Sequence, residues 1–140
     1  MNYLLDTCVI SELVKPEPNA KVTAWLNLQN EEHLFLSCIT IGEIQKGISR
    51  LKPSAKRQML QHWLEIELLD RFDKKIIGID GKVARNWGHI LAAAEQSGVK
   101  MPVIDSLIAS IGIIYDMTIV TRNIQDMQIS GVKLFNPWGQ

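Results

Sequence analysis

Residues 3–14 read Tyr3-Leu4-Leu5-Asp6-Thr7-Cys8-Val9-Ile10-Ser11-Glu12-Leu13-Val14. Large apolar residues open the stretch, an aspartate interrupts it, and a second apolar run follows at helical spacing. Tyr3 to Leu5 predicts a short buried strand, and Cys8 to Val14 a helix stopped by the Pro16 and Pro18 punctuation. Asp6 falls at the turn between them. A buried strand that feeds directly into a helix is the unit from which parallel sheets are built.

The rest of the chain repeats that unit. Asn19 is placed to cap a helix carrying Val22, Trp25 and Leu26, and His33 to Ser37 predicts the second strand. A helix from about Thr40 to Arg50 sets Ile41, Ile44, Ile48 and Leu51 in one stripe and leaves Glu43 off it, in the first turn. Pro53-Ser54 opens a longer helix with Ala55, Met59, His62, Trp63, Ile66 and Leu69 along one side. Lys75 to Ile79 predicts a third strand. Asp80 can cap the next helix, with Val83, Trp87, Ile90, Leu91 and Ala94 on its core face and Gly98 at its end. Pro102 starts a helix running to about Tyr115, and Thr118 to Thr121 and Lys133 to Asn136 predict the last two strands. No hairpin signal joins neighbouring strands, so the expected class is α/β: a mostly parallel central sheet covered by helices on both faces. With no internal repeat and no dividing linker, residues 1–140 are expected to form one domain.

Fifteen basic residues balance fifteen acidic ones, so the molecule as a whole does not attract a polyanion, and nucleic-acid binding would need local patches. Lys46, Arg50, Lys52, Lys56 and Arg57 gather around one helix junction, and Arg122 lies near the proposed strand ends. Cys8 and Cys38 lack the paired spacing of a zinc site and read as buried free thiols. Asp6 follows the first short apolar stretch too closely for a signal peptide, and Asp105 and Asp116 interrupt the longest one, so a cytoplasmic protein without a membrane span is expected.

In an open α/β sheet the loops leaving the carboxyl ends of the strands share one edge, where ligands bind. Asp6 follows the first strand, Glu43 belongs to the helix after the second, and Asn123 and Asp126 follow the fourth. Asp105 precedes the fourth strand, so its own strand does not place it, but a carboxylate within Val103, Ile104, Leu107, Ile108 and Ile111 needs a partner. Two carboxylates about 5 Å apart repel by roughly 3 kcal/mol at an effective dielectric of about 20. Convergence of several would require a cation or raised pKa values. Oxygen donors suit magnesium or manganese, and His33, His62 and His89 lie on separate segments without zinc-site spacing. Ordinary structural roles compete: Thr40-x-x-Glu43 matches a capping box, and Asp105 near a helix N-terminus is favoured by the helix dipole.

Four stretches together resemble a known family. They are Tyr3-Leu4-Leu5-Asp6-Thr7 with Ile10-Ser11-Glu12-Leu13; Ser37-Cys38-Ile39-Thr40-Ile41-Gly42-Glu43-Ile44; Pro102-Val103-Ile104-Asp105-Ser106-Leu107-Ile108-Ala109; and Val120-Thr121-Arg122-Asn123-Ile124-Gln125-Asp126-Met127. Their order over the chain resembles PIN-domain nucleases, most closely the VapC-type toxins of bacterial toxin-antitoxin modules. The resemblance implies a PIN-like α/β/α sandwich and a Mg2+- or Mn2+-dependent endoribonuclease. It implies Asp6, Glu43 and Asp105 as metal-binding and catalytic acids, Asn123 or Asp126 completing the pocket, and Thr121 positioning a water or carboxylate. It also implies an RNA substrate, with transfer RNA as the family-level expectation, an antitoxin partner, and a homodimer that could join a larger toxin-antitoxin assembly. Exposed apolar residues near Trp25 or Trp63 would serve the antitoxin contact.

Two other readings stand beside this one. An aspartyl-phosphate enzyme would use Asp6 as nucleophile, but Cys8 stands where its second aspartate belongs, and no lysine follows the fourth strand. A PIN-like scaffold without catalysis could serve only as an RNA- or partner-binding module.

Overall fold

The computed structural model describes residues 1–139. Five strands, β1 (Asn2–Leu5), β2 (Leu34–Ser37), β3 (Ile76–Ile77), β4 (Met117–Val120) and β5 (Leu134–Phe135), form one sheet in the order β3-β2-β1-β4-β5. Every pairing is parallel. β1 lies at the centre because its residues are apolar on both faces: Leu4 packs into one core cluster and Leu5 into the other. The chain builds outward from β1 to β3, then crosses back and continues through β4 and β5. The switch in direction leaves a crevice beyond the carboxyl ends of β1 and β4.

Helices cover both faces. On the Leu5 side lie α1 (Thr7–Leu13), α2 (Ala20–Leu28), α3 (Cys38–Ser49), α4 (Ala55–His62) and the short α5 (Leu69–Arg71). On the Leu4 side lie α6 (Gly81–Gln96) and α7 (Val103–Ile114), with α8 (Ile124–Met127) after β4. Asn19 caps α2 and Asp80 caps α6 through their side-chain oxygens, and Gly98 turns the chain after α6 with φ +74°. The parallel sheet between two helical layers is the expected α/β/α architecture. Among the described residues no helix is long and apolar enough to cross a membrane.

Three local expectations are corrected. The helix expected from Thr40 begins at Cys38 instead: Ser37 is the N-cap, and its hydroxyl accepts the Thr40 amide proton at 3.1 Å. Glu43 therefore lies in the second turn and is not the partner of a Thr40 capping box. After His62 the helix widens into a π-helical segment, Trp63–Leu68, which rotates its register. Leu64 and Leu68 take the core positions, while Met59 and Ile66, expected on that side, are 68% and 55% exposed. Finally, Cys38 is exposed and Cys8 half-buried, so neither is a fully buried thiol.

α7 is held by small residues. The Ser110 hydroxyl donates to the Val83 carbonyl at 2.7 Å, and the Trp87 indole donates to the Ser106 hydroxyl at 2.8 Å, joining α6 to α7. At Gly112 the helix touches the sheet so closely that a methyl group there would stand 2.6 Å from Ile119 Cδ1 and 2.9 Å from Val132 Cγ2. Asp105 lies two turns earlier on the same face of α7. Gly112→Ala gains up to about 1 kcal/mol in helix propensity but overpacks this contact by about 1–3 kcal/mol. The expected outcome is a net loss, read as a lower midpoint in urea unfolding with an unchanged slope.

Candidate active site

Asp6 sits where β1 becomes α1, and its carboxylate is oriented from three sides. Oδ1 accepts the Thr7 amide at 2.8 Å, Oδ2 accepts the Thr121 hydroxyl at 2.7 Å, and the Cys8 thiol lies 3.8 Å from Oδ2. Only 4% of Asp6 is exposed. Burial pushes its pKa above the usual aspartate value, and the hydrogen bonds from Thr121, Thr7 and Cys8 act in the opposite direction. Thr121 follows β4, is fully buried, and also accepts the Asn123 amide at 3.0 Å. Two adjacent strand ends are thus tied together through one carboxylate.

Glu43 approaches from α3. The Thr7 hydroxyl donates to Glu43 Oε1 at 2.5 Å and lies 3.0 Å from the Thr40 hydroxyl, which is itself 3.4 Å from Ser37 Oγ. A threonine has one hydroxyl proton and the carboxylate can only accept, so the Thr7 proton goes to Glu43 and the Thr40 proton points toward Thr7. This relay fixes one oxygen of Glu43 and leaves Oε2 without a protein donor among the described residues. Sequence alone does not single out Thr7 and Thr40 for these roles: Thr7 directly follows Asp6, and the spacing of Thr40-x-x-Glu43 points to a cap.

Asp105, half-buried in the first turn of α7, has a pKa pushed up to about 6. Burial is the first cause, followed by the charges of Asp6, Asp126 and Glu43. Asp105 thus lies within electrostatic reach of three other acids, Asp6 at the β1–α1 turn, Glu43 on α3 and Asp126 on α8. None of the four pairs with a lysine or arginine among the described residues, where the ion pairs are Lys15–Glu12, Arg71–Glu31 and Lys133–Asp116. Asn123 and Asp126 are both exposed; the Asp126 charge reaches Asp105, and Asn123 donates its backbone amide to the Thr121 hydroxyl.

The donor set is wholly oxygen, as a hard divalent cation requires. Among the described residues no three acid, histidine or cysteine side chains form a ready-made metal cage. Asp6, Glu43 and Asp105, with Asn123 or Asp126, are the residues that would hold such an ion. His33, His62 and His89 are all exposed, and His33 is engaged with Asn2.

Arg122, next to Thr121, holds its guanidinium 4.8 Å from the centre of the Trp138 ring. Trp25 is partly buried and packs on Tyr3 and Phe135 with ring centroids 5.0 and 5.1 Å away, while Leu28 near it is exposed.

An all-parallel α/β/α sheet with unpaired acids gathered at its switch point defines the class of protein. The chain belongs to the PIN domain family, whose profile matches residues 3–127. It is 37% identical over 136 residues to the plasmid stability protein StbB of Pseudomonas syringae pv. tomato, covering 96% of this chain and 97% of that one. It is 33% identical to VapC ribonuclease Y4jK of Sinorhizobium fredii over 135 residues, 96% of each chain. The crystal structure of FitAcB from Neisseria gonorrhoeae superposes with a TM-score of 0.94 at 34% identity, covering 99% of both chains.

Proposed function

We propose that this protein is a Mg2+- or Mn2+-dependent endoribonuclease and the toxin of a toxin-antitoxin pair. What supports the reading most is that Asp105 feels the charges of Asp6, Asp126 and Glu43, while none of the four acids pairs with a lysine or arginine among the described residues. The names of the relatives support it: one is a VapC ribonuclease, another is the toxin FitB of Neisseria gonorrhoeae, 35% identical over 135 residues.

When bound, the divalent ion supplies Lewis acidity at the scissile phosphate. Asp6 and Asp105 would hold it, with Asp126 or Asn123 completing the pocket, and Thr121 and Thr7 fix the Asp6 oxygens by hydrogen bonds. Glu43, fixed at Oε1 by Thr7, orients the attacking water and takes its proton on Oε2. Arg122, held on Trp138, faces the substrate phosphates. A second, apolar groove also reaches Glu43, lined by Val14, Ile48, Leu51, Leu60 and Trp63. It suits an apolar segment of an antitoxin, and the structural relatives include toxin-antitoxin complexes with DNA fragments. A homodimer within such an assembly is part of the same proposal.

The test is metal removal. Purified protein should cleave single-stranded RNA in manganese, stop in excess chelator, and recover when the metal is restored. RNA binding that persists while cleavage is absent at every metal concentration would favour the non-catalytic binding module.

A further inference from the structure

Two grooves leave Glu43, and they differ in charge. The apolar one described above has no cation in its lining. The other, of about 520 Å³, runs between α3 and α7 and is lined by Gly42, Glu43, Lys46, Gly47, Arg50 and Ile104. Lys46 and Gly47 stand three and four residues after Glu43, and Arg50, the C-cap of α3, stands four after Lys46, so they share one side of the helix beside the buried stripe of Ile44 and Ile48.

Lys46 and Arg50 are exposed, and neither forms a salt bridge among the described residues. Four residues of helix separate them by about 6 Å along the axis. The other cations of this region differ: Lys52 and Lys56 line neither groove, and the Arg57 guanidinium donates to the Leu51 carbonyl at 3.2 Å. Two glycines, Gly42 and Gly47, line the groove beside the acid and the cations. An added Cβ at Gly42 or Gly47 would meet nothing within 4 Å. Packing therefore does not require glycine at either place, although glycine is the poorest ordinary residue for a helix interior. The missing side chains leave the groove wall open next to Glu43.

We infer that this groove seats single-stranded RNA, with Lys46 and Arg50 on the phosphates that flank the scissile bond and the open wall at Gly42 and Gly47 admitting the sugar-phosphate chain. The inference rests on the ribonuclease reading for its choice of nucleic acid. Its physical logic is charge complementarity: the clustered acids repel a polyanion, and two unpaired cations one turn apart offset that repulsion along this groove.

The test is fluorescence anisotropy of a labelled, mixed-sequence single-stranded RNA, measured over a salt series in an Asp6→Asn background so that turnover does not intrude. Lys46→Ala with Arg50→Ala should weaken binding at least about tenfold. It should also flatten the slope of log affinity against log salt by about 1.4, or roughly 0.7 per lost phosphate contact. Lys52→Ala with Lys56→Ala should change affinity less than about threefold, as expected of solvated surface charges. Gly42→Leu, which fills the groove without altering charge and favours the helix, should weaken binding while leaving the thermal midpoint unchanged or higher. With Asp6 intact, the Lys46/Arg50 pair should raise KM and leave kcat nearly unchanged. Unchanged affinity in the Lys46/Arg50 variant, an equal loss in the Lys52/Lys56 variant, or no binding by the parent would overturn the inference. Absence of cleavage by the wild type in manganese would instead sink the nuclease reading, with the anisotropy result standing apart from it.

Discussion

Asp6→Asn is expected to lower RNA cleavage by at least about a thousandfold, because a carboxylate that holds the divalent ion contributes several kcal/mol to catalysis and each 1.36 kcal/mol is tenfold in rate. The fold should survive the change. Asparagine caps helices as well as aspartate does, so its side-chain oxygen can still accept the Thr7 amide. Its amide group would face the Thr121 hydroxyl, which has acceptor capacity and can turn its own proton away. The stability cost should therefore stay within about 1 kcal/mol, the scale of one exchanged hydrogen bond. Steady-state cleavage and thermal unfolding, measured on the same preparation, separate lost charge from lost structure. A rate near that of the parent would remove Asp6 from the chemistry.

In chelator at neutral pH, Asp105→Asn should be more stable than the parent, and in manganese that order should reverse. Asp105 has a folded pKa of about 6 against an ordinary 3.8, owing first to burial and then to the charges of Asp6, Asp126 and Glu43. A raised acid pKa means that the folded state binds the proton more tightly than the unfolded chain. Stability is then lost as pH rises from about 4 through about 6. The side chain is half exposed, so solvent screening reduces the penalty from the full shift to about 1 kcal/mol. That corresponds to roughly 3 °C in the midpoint of a chain of this size. Asparagine carries no such charge, so the variant's midpoint should vary less between pH 4 and 6.5. A bound ion inverts the balance: the parent gains about 2.7 kcal/mol at a hundred times its dissociation constant, and the variant gains less. Midpoints recorded across pH, with and without manganese, give the answer. A less stable variant in chelator would mean that the acids do not repel one another.

Much of the fold was legible because burial of apolar groups is a property of short stretches. Leu4 and Leu5 in β1, Met117 to Val120 in β4, and the caps Asn19 and Asp80 stand where their neighbours in sequence put them. Glu43 was harder to place. Both Ser37-x-x-Thr40 and Thr40-x-x-Glu43 have the spacing of a helix start, and the choice fell to Ser37, whose extended φ of −91° and ψ of 155° follow from its place at the end of β2. That choice frees Glu43 for the pocket. The helix after Pro53 failed for another reason: the π-helical segment at Trp63–Leu68 changes the period on which the expected face was counted.

The residue types were sufficient to name Asp6, Glu43, Asp105 and Asp126 as acids worth explaining and to favour an oxygen-bound cation, since donor chemistry is written in each side chain. Their meeting was decided by the packed sheet, above all for Asp105. It precedes its strand, and it reaches the carboxyl edge because Gly112 lets α7 press against Ile119 while Ser106 and Ser110 hold it to α6. Charge and hydrophobicity belong to single residues, but proximity between positions about a hundred apart belongs to the closed core.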